Sequence, residues 1–213
     1  MTHTLHREGS EESLKKDYIL LVTVAMGFND QGAAEKIKKL VDIVFDVGPI
    51  NYGCYELGKN ILFGVDAETI KKATVNNSRI RCVFTTKEKI KEVVRGIIEK
   101  DLGLSVTLSG LRFDIEDILK EMNINPHSIN FAMGTYGDVA RLPDPNFRTI
   151  TTMCGHGMLS PGLVEDMIVK VKKGKISLKE AGIRLAQPCV CGIVNQERAS
   201  RLLKKYVKLY SLN

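Results

Sequence analysis

Apolar residues recur along the chain with two different spacings, which predict alternating strands and helices. Tyr18–Ala25 is a run of apolar and β-branched residues, typical of a buried strand. In residues 33–45 the apolar positions instead follow helical spacing. The alternation continues with predicted strands over 61–65, 80–85, 104–108 and 128–133 and predicted helices over 67–75, 87–100 and 115–122. This pattern predicts an α/β fold, an alternating strand-helix body in which the two kinds of element pack in layers.

The last third of the chain has a different pattern, with three predicted helices and no strand. Ser160-Pro161 is a typical helix start, because serine caps the helix and proline fits its first turn. Ser177 and Glu180 have the spacing of a capping box, and Asn195 is suited to cap a third helix. The body is therefore expected to carry a C-terminal three-helix cap.

Changes in composition divide the predicted fold into three parts. Residues 1–16 are polar without regular apolar spacing, which is typical of a mobile N-terminal arm, and they include His3 and His6. Residues 17–148 form the predicted α/β domain and residues 149–213 the predicted helical domain. About 65 residues are few for an independent core, so we expect this helical domain to dock on the α/β domain or to be stapled.

Composition narrows the classes of protein that fit this chain of 213 residues. With 44% hydrophobic and 26% charged residues, it resembles neither a disordered tail nor a membrane bundle. The longest apolar stretch, residues 18–28, is about half of what a bilayer requires, and we find no signal peptide, so we expect a cytoplasmic protein without a membrane partner. The net charge of +6 is spread over lysine-rich helical faces, so we expect no nucleic-acid partner from this pattern.

The five cysteines carry the strongest chemical signal. An odd number of cysteines without a secretion signal argues against a disulfide framework. Three of them, Cys154, Cys189 and Cys191, fall in two glycine-flanked connections between predicted helices, and His156 shares the first connection. Because a helix pair folds back on itself, the two connections can meet. We therefore predict one shared site, in which the three cysteines bind a cofactor and all four residues are candidate metal ligands.

Three interpretations of this site fit the residue types, two with a bound metal and one without. An iron–sulfur cluster, most simply a 4Fe-4S cluster, would take the three thiolates and leave the fourth iron to His156, to Cys54 or to substrate. An open iron is a Lewis acid, which suits a lyase or sulfur-chemistry enzyme acting on a small molecule. Zinc would take all four residues in a closed structural site, although one intervening residue in Cys189–Cys191 is fewer than zinc sites usually have. A metal-free thiol enzyme would use Cys154 beside His156.

Further candidate residues follow the predicted strand 128–133. Tyr136 and Asp138 lie just beyond its carboxyl end, where open α/β sheets bind ligands, so we predict that they contact substrate. His156 is the candidate proton donor. The leading hypothesis is an oxygen-sensitive cluster enzyme or a cluster-dependent accessory protein. The alternative is a zinc-stapled binding module whose basic helices contact nucleic acid or a protein partner.

Overall fold

A computed structural model describes residues 5–210 of the chain, so that His3 lies outside the described part. The described strands are β1 (Tyr18–Thr23), β2 (Asn51–Cys54), β3 (Lys59–Asn60), β4 (Ile80–Phe84) and β5 (Ser105–Ser109). The described helices are α1 (Glu11–Leu14), α2 (Ala33–Val47), α3 (Ala67–Ala73), α4 (Lys87–Lys100), α5 (Arg112–Glu121), α6 (Pro145–Thr151), α7 (Pro161–Lys172), α8 (Leu178–Ala186) and α9 (Gln196–Leu209).

The five strands form one antiparallel sheet in the order β3-β2-β4-β1-β5. The first five residues of β1 are buried without alternation, as expected of a strand that is covered on both faces. The register pairs Leu20 with Cys82 of β4 on one side and with Leu108 of β5 on the other. Mixed helices and strands confirm the predicted α/β class.

Each face of the sheet belongs to a different hydrophobic core. Leu20 and Cys82 face a core that includes apolar residues of α2 and α4. Ile19 and Val83, which point to the opposite face, pack in a core made chiefly by α6–α9. The helical domain is therefore docked on the sheet, as its small size predicted.

The three predicted helix starts of the helical domain are confirmed. The side chains of Ser160, Ser177 and Asn195 each accept a hydrogen bond from the backbone N–H three residues later, at the N-termini of α7, α8 and α9. Within the described residues, no helix combines the length and the apolar character needed to span a membrane.

Two of the predicted strands are wrong. Residues 61–63 form a 3₁₀ turn, because the side chain of Asn60 accepts from the backbone N–H of Leu62 and Gly64 ends the turn with a φ of 79°. The strand of this region is β2, in a segment for which the apolar pattern predicts no strand. Residues 128–133 form no strand either; they are exposed and have no ladder partner within the described chain.

The N-terminal segment that was predicted to be a mobile arm makes buried contacts from residue 7 onward. The side chain of Arg7 is only 5% exposed, forms an ion pair with Asp17, and donates to the backbone oxygens of Met153 and Ile193. Arg198 of α9 forms a second ion pair with Asp17, at 2.9 Å. This cluster connects the N-terminal segment and the sheet to the helical domain. The predicted domain boundary at residue 148 falls inside α6.

Candidate metal centre

The two cysteine-bearing connections meet in the core between the sheet and the helical domain. The first connection follows α6 and contains Cys154 and His156, and the second joins α8 to α9 and contains Cys189 and Cys191. The three cysteines are 1–4% exposed and belong to the core made by α6–α9. His156 lies in the exposed turn at the edge of the site. The three cysteines are therefore shielded from solvent on the side of the core, and the site is open to solvent on the side of His156.

The contacts among these residues form two pairs. The Sγ atom of Cys191 lies 3.5 Å from Nδ1 of His156, and the thiols of Cys154 and Cys189 form the second pair, in which each shifts the pKa of the other. The structure thus brings the two connections that carry the four predicted residues into contact through Cys191 and His156. All five cysteines of the chain are free thiols, and no group of three or more His, Cys, Asp or Glu residues among residues 5–210 has the arrangement of a metal-ligand set.

The hydrogen bond between Cys154 and Cys189 dominates the electrostatics of the site. It lowers the pKa of Cys154 to about 6. Burial acts in the opposite direction and raises this pKa, whereas backbone hydrogen bonds of Met158 and His156 lower it further. The same bond, followed by burial, raises the pKa of Cys189 well above its usual range. The pair therefore gives up its first proton easily and retains its second.

Cys191 has a different environment from this pair. Burial raises the pKa of Cys191, and the positive charge of Arg81 acts in the opposite direction. Among the three cysteines of the site, Cys154 is therefore the one that favours the thiolate near neutral pH.

Strand β2 supports the second connection by direct backbone packing. A Cβ atom on Gly53 would lie 2.1 Å from the carbonyl carbon of Cys191, so that only glycine fits at this position. Gly192, with a φ of +63°, packs equally closely against the backbone of Tyr52 and Gly53.

Two buried asparagines hold the same connection in place. Nδ2 of Asn60 lies within 3.0–3.2 Å of the backbone oxygens of Ala186, Gln187 and Cys189, and Nδ2 of Asn51 donates to Val194 at 2.9 Å. Sequence reasoning missed both residues. The only signal was an amide at each end of the segment 51–60, which also fits ordinary turns.

Gly53→Ala is expected to lower the free energy of unfolding by about 1–3 kcal/mol, because the added methyl group must push the Cys191 backbone away from β2. The measurement is urea denaturation of the purified chain. Gly162→Ala is the matched control, since a Cβ there meets no atom within 4 Å and the helical position favours alanine. Equal stability of the two variants would contradict the close packing of β2 on the cysteine connection.

The remaining sequence-predicted candidates do not join the cluster. Cys54 belongs to the core on the opposite face of the sheet, and its Sγ atom lies 3.7 Å from a Glu56 carboxylate oxygen. Tyr136 is 78% exposed and donates to the backbone oxygen of Met133, and Asp138 is exposed. The strand that was to place Tyr136 and Asp138 at a sheet edge does not form, so their assignment to substrate loses its structural reason.

Comparison with known proteins assigns no family to this chain. No family model matches it, and no curated protein or solved structure does so either. The functional argument consequently depends on the residues of the site.

Proposed function

We propose that Cys154, Cys189 and Cys191 bind an iron–sulfur cluster, most simply a 4Fe-4S cluster, and that the chain is a cluster enzyme or a cluster-dependent accessory protein acting on a small molecule. His156 is the fourth ligand or a proton donor beside it. The observation that supports this proposal is the contact between two cysteine-bearing connections, across which the Sγ atom of Cys191 lies 3.5 Å from Nδ1 of His156, 35 residues away, and Cys189 lowers the pKa of Cys154.

The chemistry of these donors supports the proposal. Three thiolates are the ligands that an iron–sulfur cluster with one open iron requires, and the cluster supplies Lewis-acid chemistry when bound. Hydrogen bonding with Cys189 lowers the pKa of Cys154 and so favours its thiolate, the form that ligates a metal. The surrounding core excludes water from the cysteines, whereas His156 lies at the exposed edge and can hold or transfer a proton there.

Protein produced and kept without oxygen is expected to be brown and to contain about four irons and four sulfides per chain. Cys189→Ala and Cys191→Ala should each lower the iron content by more than half. The measurement is metal analysis together with the visible spectrum. Cys82→Ala is the matched control, because it removes a buried cysteine from the opposite face of the sheet and should leave the iron content unchanged.

Two results would contradict the proposal that the chain binds an iron–sulfur cluster. Colourless protein without iron would exclude it, and so would iron that Cys189→Ala leaves in place. One zinc per chain would instead support the zinc-stapled module, which the burial of all three cysteines at the junction of sheet and helices favours. In that case a chelator should unfold the helical domain.

The five free thiols also favour a reducing compartment, and we propose a cytoplasmic location on this ground.

A further inference from the structure

Arg81 lies on the sheet face that carries the cysteine cluster. Side chains two residues apart on a strand point to the same face, so Arg81 shares its face with Val83, which packs in the core of the helical domain. The register of β2 with β4 pairs Tyr52 with Cys82, and one residue further it places Gly53 beside Arg81. Because Gly53 is in contact with the Cys191 backbone, Arg81 is adjacent to the second cysteine connection.

The guanidinium group of Arg81 has an unused hydrogen-bond donor. Its Nη1 atom is buried and has no partner within residues 5–210, and no carboxylate of these residues forms an ion pair with it. Its guanidinium carbon lies 4.8 Å from the centre of the Tyr55 ring, which stacks on it and holds it in place. A buried donor without a partner is costly, so a fixed cation of this kind points to an anion that completes it.

Two buried arginines differ from Arg81 in having a carboxylate partner, although Nε of Arg7 is also a buried donor without a hydrogen-bond partner within residues 5–210. Arg7 and Arg198, whose side chains are 5% and 0% exposed, both pair with Asp17. Arg81 retains partial exposure, so a small molecule can approach it from the side on which Tyr55 is exposed. The charge of Arg81 also acts on a thiol of the site, since it lowers the pKa of Cys191 against the effect of burial.

We propose that Arg81 binds the carboxylate of a small organic acid whose reacting end lies at Cys191 and His156. The planar guanidinium suits a carboxylate because the two can form paired hydrogen bonds. This inference rests on the proposed function, since it names the substrate class of the same site. Arg81 is a binding residue in this proposal and ligates no metal.

The test compares two alkylating reagents of similar size on the reduced, metal-free full-length chain. Iodoacetate carries a carboxylate and iodoacetamide does not, so the ratio of their rates at Cys191 and Cys154 reports anion binding beside the thiols. We expect this ratio to exceed that of glutathione by about tenfold, the effect of one charge-assisted hydrogen bond. Arg81→Gln should return the ratio to the glutathione value, and the matched control Arg79→Gln, at an exposed arginine two residues away, should keep it high.

An equal ratio in the wild-type chain and in Arg81→Gln would overturn the proposal. Loss of iron from Arg81→Gln with an unchanged ratio would overturn it as well, because Arg81 would then only balance the charge of the cluster.

If burial prevents alkylation, the proposal is tested by comparing the thermal unfolding midpoint in malonate with that in neutral malonamide. A midpoint raised by malonate in the wild-type chain but not in Arg81→Gln supports the site, and equal shifts overturn it. Since these tests use metal-free protein, their failure is distinct from an absence of iron.

Discussion

Asp17→Asn is expected to lower the free energy of unfolding by about 3–5 kcal/mol, the usual cost of removing one partner from a buried ion pair. The side chain of Asp17 is 0% exposed and balances two guanidinium groups, those of Arg7 and Arg198. Asparagine keeps the shape of the side chain but removes its charge. Both cations then remain inside the protein without a carboxylate. The amide of Asn195, which donates to Asp17 Oδ1 at 3.2 Å, also loses a charged acceptor.

Thermal unfolding measures this effect directly. For a chain of this size, each kcal/mol lowers the midpoint by about 2–4 °C, so that a decrease of about 6–20 °C is expected. Glu180→Gln is the matched control, because it makes the same chemical change in a pair with Arg184 that is 45% exposed on both sides. Such surface pairs contribute at most about 1 kcal/mol. A similar midpoint for both variants would show that the Asp17 cluster contributes little to stability.

The same ion-pair cluster connects the stability of the fold to the cysteine site. Arg7 donates to the backbone oxygen of Met153, which precedes Cys154, and to that of Ile193, two residues after Cys191. Loss of Asp17 releases Arg7 from its counter-ion at the point where it joins the two cysteine connections. We therefore expect the N-terminal segment to position the site, although its composition alone resembles that of a solvated arm.

Features that depend on neighbouring residues could be predicted from the sequence, and features that depend on distant contacts could not. The caps at Ser160, Ser177 and Asn195 are local hydrogen bonds, and each formed where its residue type indicated. Strand β2 was missed because Asn51 and Gly53 have low strand propensity, and they are stabilised there by contacts with residues about 140 positions away.

The candidate site divides in the same way. The contact between the connection of Cys154 and His156 and that of Cys189 and Cys191 could be predicted because the helices between them fold back over a short distance. Arg81 gave no signal, since a single arginine in an apolar strand does not reveal which loop will pack beside it. Cys54 was one of the three alternatives for the fourth iron, but the alternation of β2 directs it to the other core.

The alkylation of Cys154 in the reduced, metal-free chain is expected to titrate with a midpoint near pH 6. Thiolate is the reactive form, so the rate rises with pH through the pKa and then becomes constant. Cys189→Ala removes the hydrogen bond that contributes most to the low pKa, whereas burial, which raises the pKa, remains. The midpoint should therefore move upward, to about 8.5 or above, the value of an ordinary cysteine.

The midpoint, and not the rate at one pH, is the decisive measurement. A thiolate of higher pKa is more nucleophilic, so the smaller thiolate fraction of Cys189→Ala near neutral pH is partly offset by a higher reactivity. Mass spectrometry of the Cys154 peptide at each pH separates the two effects. Cys189→Ser should shift the midpoint less than Cys189→Ala, because serine keeps a donor, and Cys82→Ala should leave it unchanged. A midpoint that Cys189→Ala does not move would mean that the Cys154–Cys189 bond does not govern the thiolate, and the two connections would then lack the electrostatic coupling on which a shared site depends.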